Sequence, residues 1–92
     1  MPKVSFARHL YRFFPALEGM EISVAARDVG EVIAELEKLS PGLAFYLIDE
    51  RGQLRVHVNI FVEEELIADR QRLSDRVSPG SHVYVMQALS GG

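Results

Sequence analysis

The chain contains no cysteine and no tryptophan. Without thiols there is no disulfide framework, no thiolate zinc site and no cysteine nucleophile, a composition suited to a reducing compartment. No apolar run reaches the ~18 residues that a membrane span requires. Met1-Pro2-Lys3 leads straight into alternating sequence, with no signal-peptide core. The expectation is a cytoplasmic protein that engages no membrane. An excess of positive charge is also missing: ten Lys and Arg stand against thirteen Asp and Glu, for a formal net charge of −3. That is the opposite of a nucleic-acid footprint. No serine sits in a nucleophile-elbow context and no glycine loop is built to cradle phosphate. What is present is one domain's worth of chain, 92 residues of which 48% are hydrophobic, enough for a modest single core.

Residues 3–8 alternate, with Val4 and Phe6 on one side and Lys3, Ser5 and Ala7 on the other, which predicts a half-buried strand. His9 to Gly19 carries Leu10, Tyr11, Phe13, Phe14 and Leu17 around Pro15, too apolar for a free loop; the expected role is packing over one end of the core. After the Gly19 turn, Met20, Ile22, Val24 and Ala26 predict a second strand. Asp28 opens the main helix, with Glu31 three residues later in a capping-box-like pattern. Val29, Val32, Ile33, Leu36 and Leu39 form its apolar stripe, and Ser40-Pro41-Gly42 ends it. Leu43 to Ile48 fits a short helix or a buried segment.

Residues 54–62 read as the clearest strand, with Leu54, Val56, Val58, Ile60 and Val62 inward and Arg55, His57, Asn59 and Phe61 outward. Glu63-Glu64-Glu65 is an acidic turn before a brief edge strand at Leu66-Ile67, and Leu73 and Val77 return to the core. Ser78-Pro79-Gly80-Ser81 predicts a type II turn. The last strand, His82 to Met86, turns Val83 and Val85 inward and His82, Tyr84 and Met86 outward. The order of elements predicts an α+β layer, one helix across a mixed sheet. Ser90-Gly91-Gly92 follows. A Gly-Gly end is thin and pliable enough to thread a channel and present a carboxylate. It also fits a frayed terminus or an expression remnant.

Taken together, the chain resembles the ubiquitin-like β-grasp sulfur carriers of the MoaD, ThiS and CysO type. The resemblance covers essentially the whole chain and is strongest in Arg55-Val56-His57-Val58-Asn59-Ile60-Phe61-Val62 and from Leu73 to Gly92. In that family a strand of this type precedes an acidic turn. A leucine and a turn, usually Asp-Gly-Asp, come before the last strand, and the chain stops at Gly-Gly. Two positions depart from the pattern: the turn carries Pro79-Gly80, and Gln87 stands where many members have proline. The resemblance implies a ubiquitin-like β-grasp fold with a mixed four- to five-stranded sheet, residues 1–86 forming the domain and 87–92 the tail.

The chemistry implied by the resemblance is adenylation of Gly92 by an ATP-using, ubiquitin-activating-type adenylyltransferase. A persulfide or sulfide, supplied by a sulfurtransferase or as free sulfide, then displaces AMP and leaves a thiocarboxylate for a biosynthetic acceptor enzyme, in a role like that of the small subunit of a synthase complex such as molybdopterin synthase. The chain is then a carrier and not an enzyme; it binds no cofactor, and ATP belongs to the activating enzyme. Gly91 and Gly92 are the expected reactive end. Leu89, Ser90, Phe61, Tyr84, Met86 and His57 are the expected partner contacts, with His82 beside them. Aromatics and Met flanked by polar residues suit docking, although scattered exposed apolar residues are common. His57 and His82 as cross-strand neighbours offer two imidazoles with no third ligand, so no metal site is expected. Glu63-Glu64-Glu65 reads as a solvated turn that can face a basic partner. Two other functions fit the same sequence: a ubiquitin-like modifier joined through Gly92 to a lysine, and a binding module that uses the sheet face without activation.

Overall fold

The computed structural model describes residues 1–87. In β1 (Lys3–Phe6) the alternation buries Val4 and Phe6. Two short 3-10 helices follow, Arg8–Arg12 and Pro15–Leu17, and lay Leu10 and Leu17 over one end of the core as expected. Phe13 does not join them and stays 59% exposed. β2 is only Ile22–Ser23, antiparallel to β1. The expected strand from Met20 to Ala26 is thus cut short: Met20 is exposed, and the last edge contact is the Val24 N–H donating to the Pro2 carbonyl at 3.0 Å.

Helix α1 (Val29–Leu39) is capped by Asp28, whose carboxylate accepts from the Glu31 N–H at 2.8 Å. The reciprocal half differs from a capping box. The Glu31 carboxylate takes the Arg27 N–H at 2.8 Å and the Arg27 guanidinium at 3.1 Å, and not the Asp28 amide. The cause is that residues 27–29 pair with 75–77, through Val77 N–H to the Arg27 carbonyl and Val29 N–H to the Asp75 carbonyl. Val29, Val32, Ile33 and Leu36 are buried. Leu39, expected on the same stripe, is 50% exposed, because it lies in the last turn where the chain is already leaving the core.

Gly42 takes the left-handed conformation (φ 101°) that this exit requires. The Glu37 carboxylate gathers the N–H groups of Ala44 and Gly42, which hold its pKa below the ordinary carboxylate value. Of the two forms open to 43–48, the helical one is found: α2 (Leu43–Leu47), burying Leu43 and Leu47.

The segment 54–62 departs most from its sequence pattern. Only Val58–Val62 forms a strand, β3. Leu54 is buried and held in an isolated bridge to Ile48. The chain then turns, with the Val58 N–H donating to the Arg55 carbonyl at 3.0 Å, and Val56 is left 94% exposed. The Arg70 guanidinium braces this turn from behind, donating to the carbonyls of Arg55 (2.7 Å) and Val58 (2.8 Å) and to the Asn59 side chain (3.1 Å).

A two-residue turn at Glu63 and Glu64, both at positive φ, connects β3 to β4 (Glu65–Leu66). The loop after β4 returns Ile67, Leu73 and Val77 to the core. Asp69 organises it, accepting from the Ser74 hydroxyl and from the Arg72 N–H, which together hold its carboxyl below the usual range. The turn at 78–81 closes by the Ser81 N–H to the Ser78 carbonyl at 2.9 Å. Gly80 is not left-handed, so the expected type II form is not adopted. The buried Ser81 hydroxyl instead accepts the Ser78 N–H at 2.8 Å.

β5 (His82–Gln87) completes a five-stranded mixed sheet in the order β2-β1-β5-β3-β4. β1 and β5 are parallel, and the other pairs are antiparallel. One apolar cluster joins α1 and α2 to Val4, Phe6, Val58, Ile60, Val83 and Val85. This is the expected α+β, ubiquitin-like β-grasp arrangement, with one main helix across the sheet.

Candidate functional site: the open sheet face and the root of the tail

β5 lies between β1 and β3, so its central outward residue, Tyr84, has strand neighbours on both sides. Val83 and Val85 are fully buried on the helix side. Tyr84 therefore faces away, directly opposite Phe61 on β3 and Ser5 on β1; Met86 is opposite Asn59. The Phe61 and Tyr84 ring centroids are 6.4 Å apart. Phe61, Glu64, His82, Tyr84 and Met86 line a shallow depression of about 410 Å3. Three of the expected contacts, Phe61, Tyr84 and Met86, are thus brought together.

Leu66 extends this surface and was not among the expected contacts. It stands opposite Phe61 on β4 and is exposed, so Leu66, Phe61 and Tyr84 form one row across three strands. The signal was present in the acidic stretch: a two-residue hairpin turn at Glu63-Glu64 dictates that residues 61 and 66 pair. Glu63 locks the turn to β5, its carboxylate accepting the His82 N–H and its own N–H donating to the His82 carbonyl, each at 3.0 Å. His82 Nε2 lies 2.7 Å from the Ser5 hydroxyl. The rim of the depression is therefore acidic on the hairpin side.

His57 does not belong to this surface. The register pairs Val62 with Val83 and Val58 with Gln87, so His82 faces the Glu63 turn, and His57 sits in the bend before β3. There it lines a separate depression with Phe45, Tyr46, Glu50 and Arg55. The two histidines are not cross-strand neighbours. Among the described residues no group of three or more His, Cys, Asp or Glu side chains is arranged to hold a metal ion. His9, for which the sequence offered no partner, has its Nε2 buried without a hydrogen bond among the described residues.

At the other end of β5 the strand runs one residue past Met86, to Gln87, which pairs with Val58. The Tyr46 hydroxyl donates to the Gln87 side-chain oxygen, tying α2 to this point. Leu89, Ser90, Gly91 and Gly92 lie outside the described residues. No helix among the described residues is long and apolar enough to cross a membrane.

Comparison with known proteins matches this arrangement. A family model described as the ThiS family matches residues 13–92. The sulfur carrier protein CysO of Mycobacterium tuberculosis is 30% identical over 73 residues, covering 77% of this chain and 78% of that protein. The crystal structure of M. tuberculosis CysO superposes with a TM-score of 0.81 at 27% identity, covering 97% of this chain and 100% of the other. A chain of the crystal structure of the Amycolatopsis orientalis BexX/CysO complex superposes with a TM-score of 0.82 at 21% identity, covering 100% of both chains. SAMP1 from Haloferax volcanii shares the fold at a TM-score of 0.73 and 20% identity, over 99% of this chain and 98% of that one.

Proposed function

The chain belongs to the ThiS family, and from that premise we propose that it is a sulfur carrier that works through the carboxylate of Gly92. The observation that carries the reading is the family match, which runs through residue 92 and so includes Gly91-Gly92. The similarity to a protein named a sulfur carrier over 77% of the chain supports it further.

A carboxylate is a poor electrophile, so the tail has to be activated before it can accept sulfur. In the proposed sequence an ATP-using adenylyltransferase joins the Gly92 carboxylate to AMP and releases pyrophosphate. Sulfide then attacks the acyl carbon; the C–S bond forms and AMP leaves with the electron pair of the broken C–O bond. At a biosynthetic acceptor enzyme the thiocarboxylate sulfur attacks the acceptor and forms the new C–S bond. Water then attacks the acyl carbon, the acyl C–S bond breaks with its electron pair going to the acceptor's sulfur, and the carrier returns as its carboxylate. The protein supplies the reacting group and the handle, and the partner enzymes supply the catalytic residues and bind ATP. The open sheet face, with Phe61, Tyr84, Met86 and Leu66 in one surface, is the proposed grip for the activating enzyme. Its apolar centre and acidic rim suit a partner with an apolar patch edged by basic side chains.

Intact-mass measurement tests the reading. The full chain is incubated with ATP, sulfide and each adenylyltransferase of this type from the same genome. The expected product is heavier by the exchange of one oxygen for sulfur, and a chain lacking Gly91-Gly92 gains nothing. No mass gain with any of these enzymes overturns the carrier reading. Adducts on lysines of other proteins in cells would instead support a modifier joined through Gly92.

A further inference from the structure

Among the described residues, three large apolar side chains from stretches linked to the root of the tail are exposed. Phe13 is 59% exposed, Phe45 71% and Val56 94%. They come from three separate stretches: the end of the first 3-10 helix, α2, and the bend before β3. Tertiary contacts link these stretches to that root. The Phe13 and Phe14 rings rest on Tyr46, with centroids 5.3 and 5.5 Å away, and the Tyr46 hydroxyl holds Gln87. Val56 is two residues ahead of Val58, the strand partner of Gln87. Phe45 is fixed from below by Arg55, whose guanidinium lies 4.9 Å from its ring centroid and whose Nε donates to its carbonyl at 2.9 Å. An ordered, exposed aromatic costs free energy unless something covers it.

The geometry points to this collar as a second docking surface, used by the enzyme that activates Gly92. The inference rests on the proposed reaction at Gly92. Five residues carry the chain from Gln87 to Gly92, a reach of at most about 17 Å when fully extended. An enzyme that closes its active site around Gly92 must bring the mouth of that site against whatever surrounds Gln87. On the helix side Gln87 meets Tyr46, on which Phe13 rests, and Tyr46 shares a depression with Phe45, Glu50, Arg55 and His57, the last two flanking Val56 in the chain. Gln87 belongs to the same alternation as Val83 and Val85, so the collar lies on the opposite side of β5 from the row made by Tyr84 and Met86. The two surfaces would hold the enzyme from both sides of the strand that leads into the tail. The partner surface this requires is an apolar lip at the entrance of its channel, able to bury two phenylalanine rings and a valine.

The test compares the wild-type chain with Phe45→Ser/Val56→Ser, two side chains exposed enough to be replaced without opening the core. Initial rates of mass gain are measured against carrier concentration with the adenylyltransferase, ATP and sulfide. The thermal midpoint confirms folding, and Met20→Ser, another exposed apolar site, serves as the control. The expected result is a rise of about tenfold or more in the carrier concentration giving half-maximal rate, the size of an interface hot spot. The maximal rate and the thermal midpoint should stay near the wild-type values. Activation of the wild type with an unchanged concentration dependence in the variant overturns the collar and leaves the carrier reading intact. Normal activation with slowed transfer of sulfur to the acceptor assigns the collar to the acceptor enzyme and overturns it as well. No activation of the wild type removes the carrier reading and the collar together.

Discussion

The Tyr46 hydroxyl donates a hydrogen bond to the side chain of Gln87, and through it α2 holds the last described residue before the Gly-Gly tail. Gln87 is the position at which the resemblance to the sulfur carriers leads one to expect proline, and either residue restricts the chain at the same point. The proline would do so by fixing φ; here a side-chain bond and the pairing of Gln87 with Val58 do it. Tyr46→Phe removes that bond while keeping the ring stack with Phe13 and Phe14. The expected cost is about 1 kcal/mol, read by denaturant titration. An unchanged stability would show that the strand pairing alone sets the root of the tail.

Tyr84→Ala/Met86→Ala tests the sheet face. Both side chains are partly exposed on the side away from the helix, so the core stays intact. The expected outcome is a folded protein whose affinity for the activating enzyme falls by about tenfold or more, measured by calorimetric titration. Leu66→Ser should weaken binding in the same direction, because Leu66 continues the same row. Affinity unchanged in both variants would exclude this face as the grip.

Leu36 and Leu39 lie on one helix and differ in burial, 0% against 50% exposed. Leu36→Ala should cost about 2–5 kcal/mol, the range for a buried leucine. Leu39→Ala should cost about 0.5 kcal/mol or less, as for surface positions. Urea unfolding of the two variants checks the contrast, and equal losses would contradict the packing described for α1.

Acid should unfold the protein through its hydrogen-bonded carboxylates. Asp69 is held below its ordinary value by the Ser74 hydroxyl and the Arg72 N–H, Glu37 by the N–H groups of Ala44 and Gly42, and Asp49 by the Gln53 N–H. Each folded-state value lies under its unfolded one. The stabilisation is therefore complete above the unfolded carboxylate range, near pH 4, and is lost as pH falls through the lowered folded values. The thermal midpoint should stay level from pH 7 to about 5 and drop steeply below about 4. Asp69→Asn should have a lower midpoint at pH 7 and a shallower acid decline. A parallel decline in the variant would remove Asp69 from this account.

Much of the fold is legible in local pattern. The Asp28 cap and most of the stripe of α1 and the inward faces of β1 and β5 follow from residue periods of 3.6 and 2, while the acidic turn, expected over 63–65 before a strand at Leu66-Ile67, is tighter, with the turn at Glu63-Glu64 and the strand at Glu65–Leu66. Those signals are short-range, and a residue's own neighbours produce them. The bend before β3 escaped them. Leu54, Val56 and Val58 alternate perfectly, yet Val56 is exposed, because Arg70 from a distant loop gathers the Arg55 and Val58 carbonyls and turns the chain out of the sheet. No window around Val56 contains that information. Gly80 likewise allows a left-handed turn that the buried Ser81 hydroxyl made unnecessary.

For function the division is similar. The sequence by itself offered Gly91-Gly92 as the proposed reactive end and determined the outward set Phe61, Tyr84 and Met86, since alternation decides which side of a strand a residue takes. Only the tertiary structure decided which outward residues meet. Register put Leu66 beside Phe61 and separated His57 from His82, and long-range packing set Phe13 on Tyr46 and Tyr46 on Gln87. A period states a direction; adjacency between strands and helices is settled by which buried faces and backbone groups satisfy one another across the whole domain.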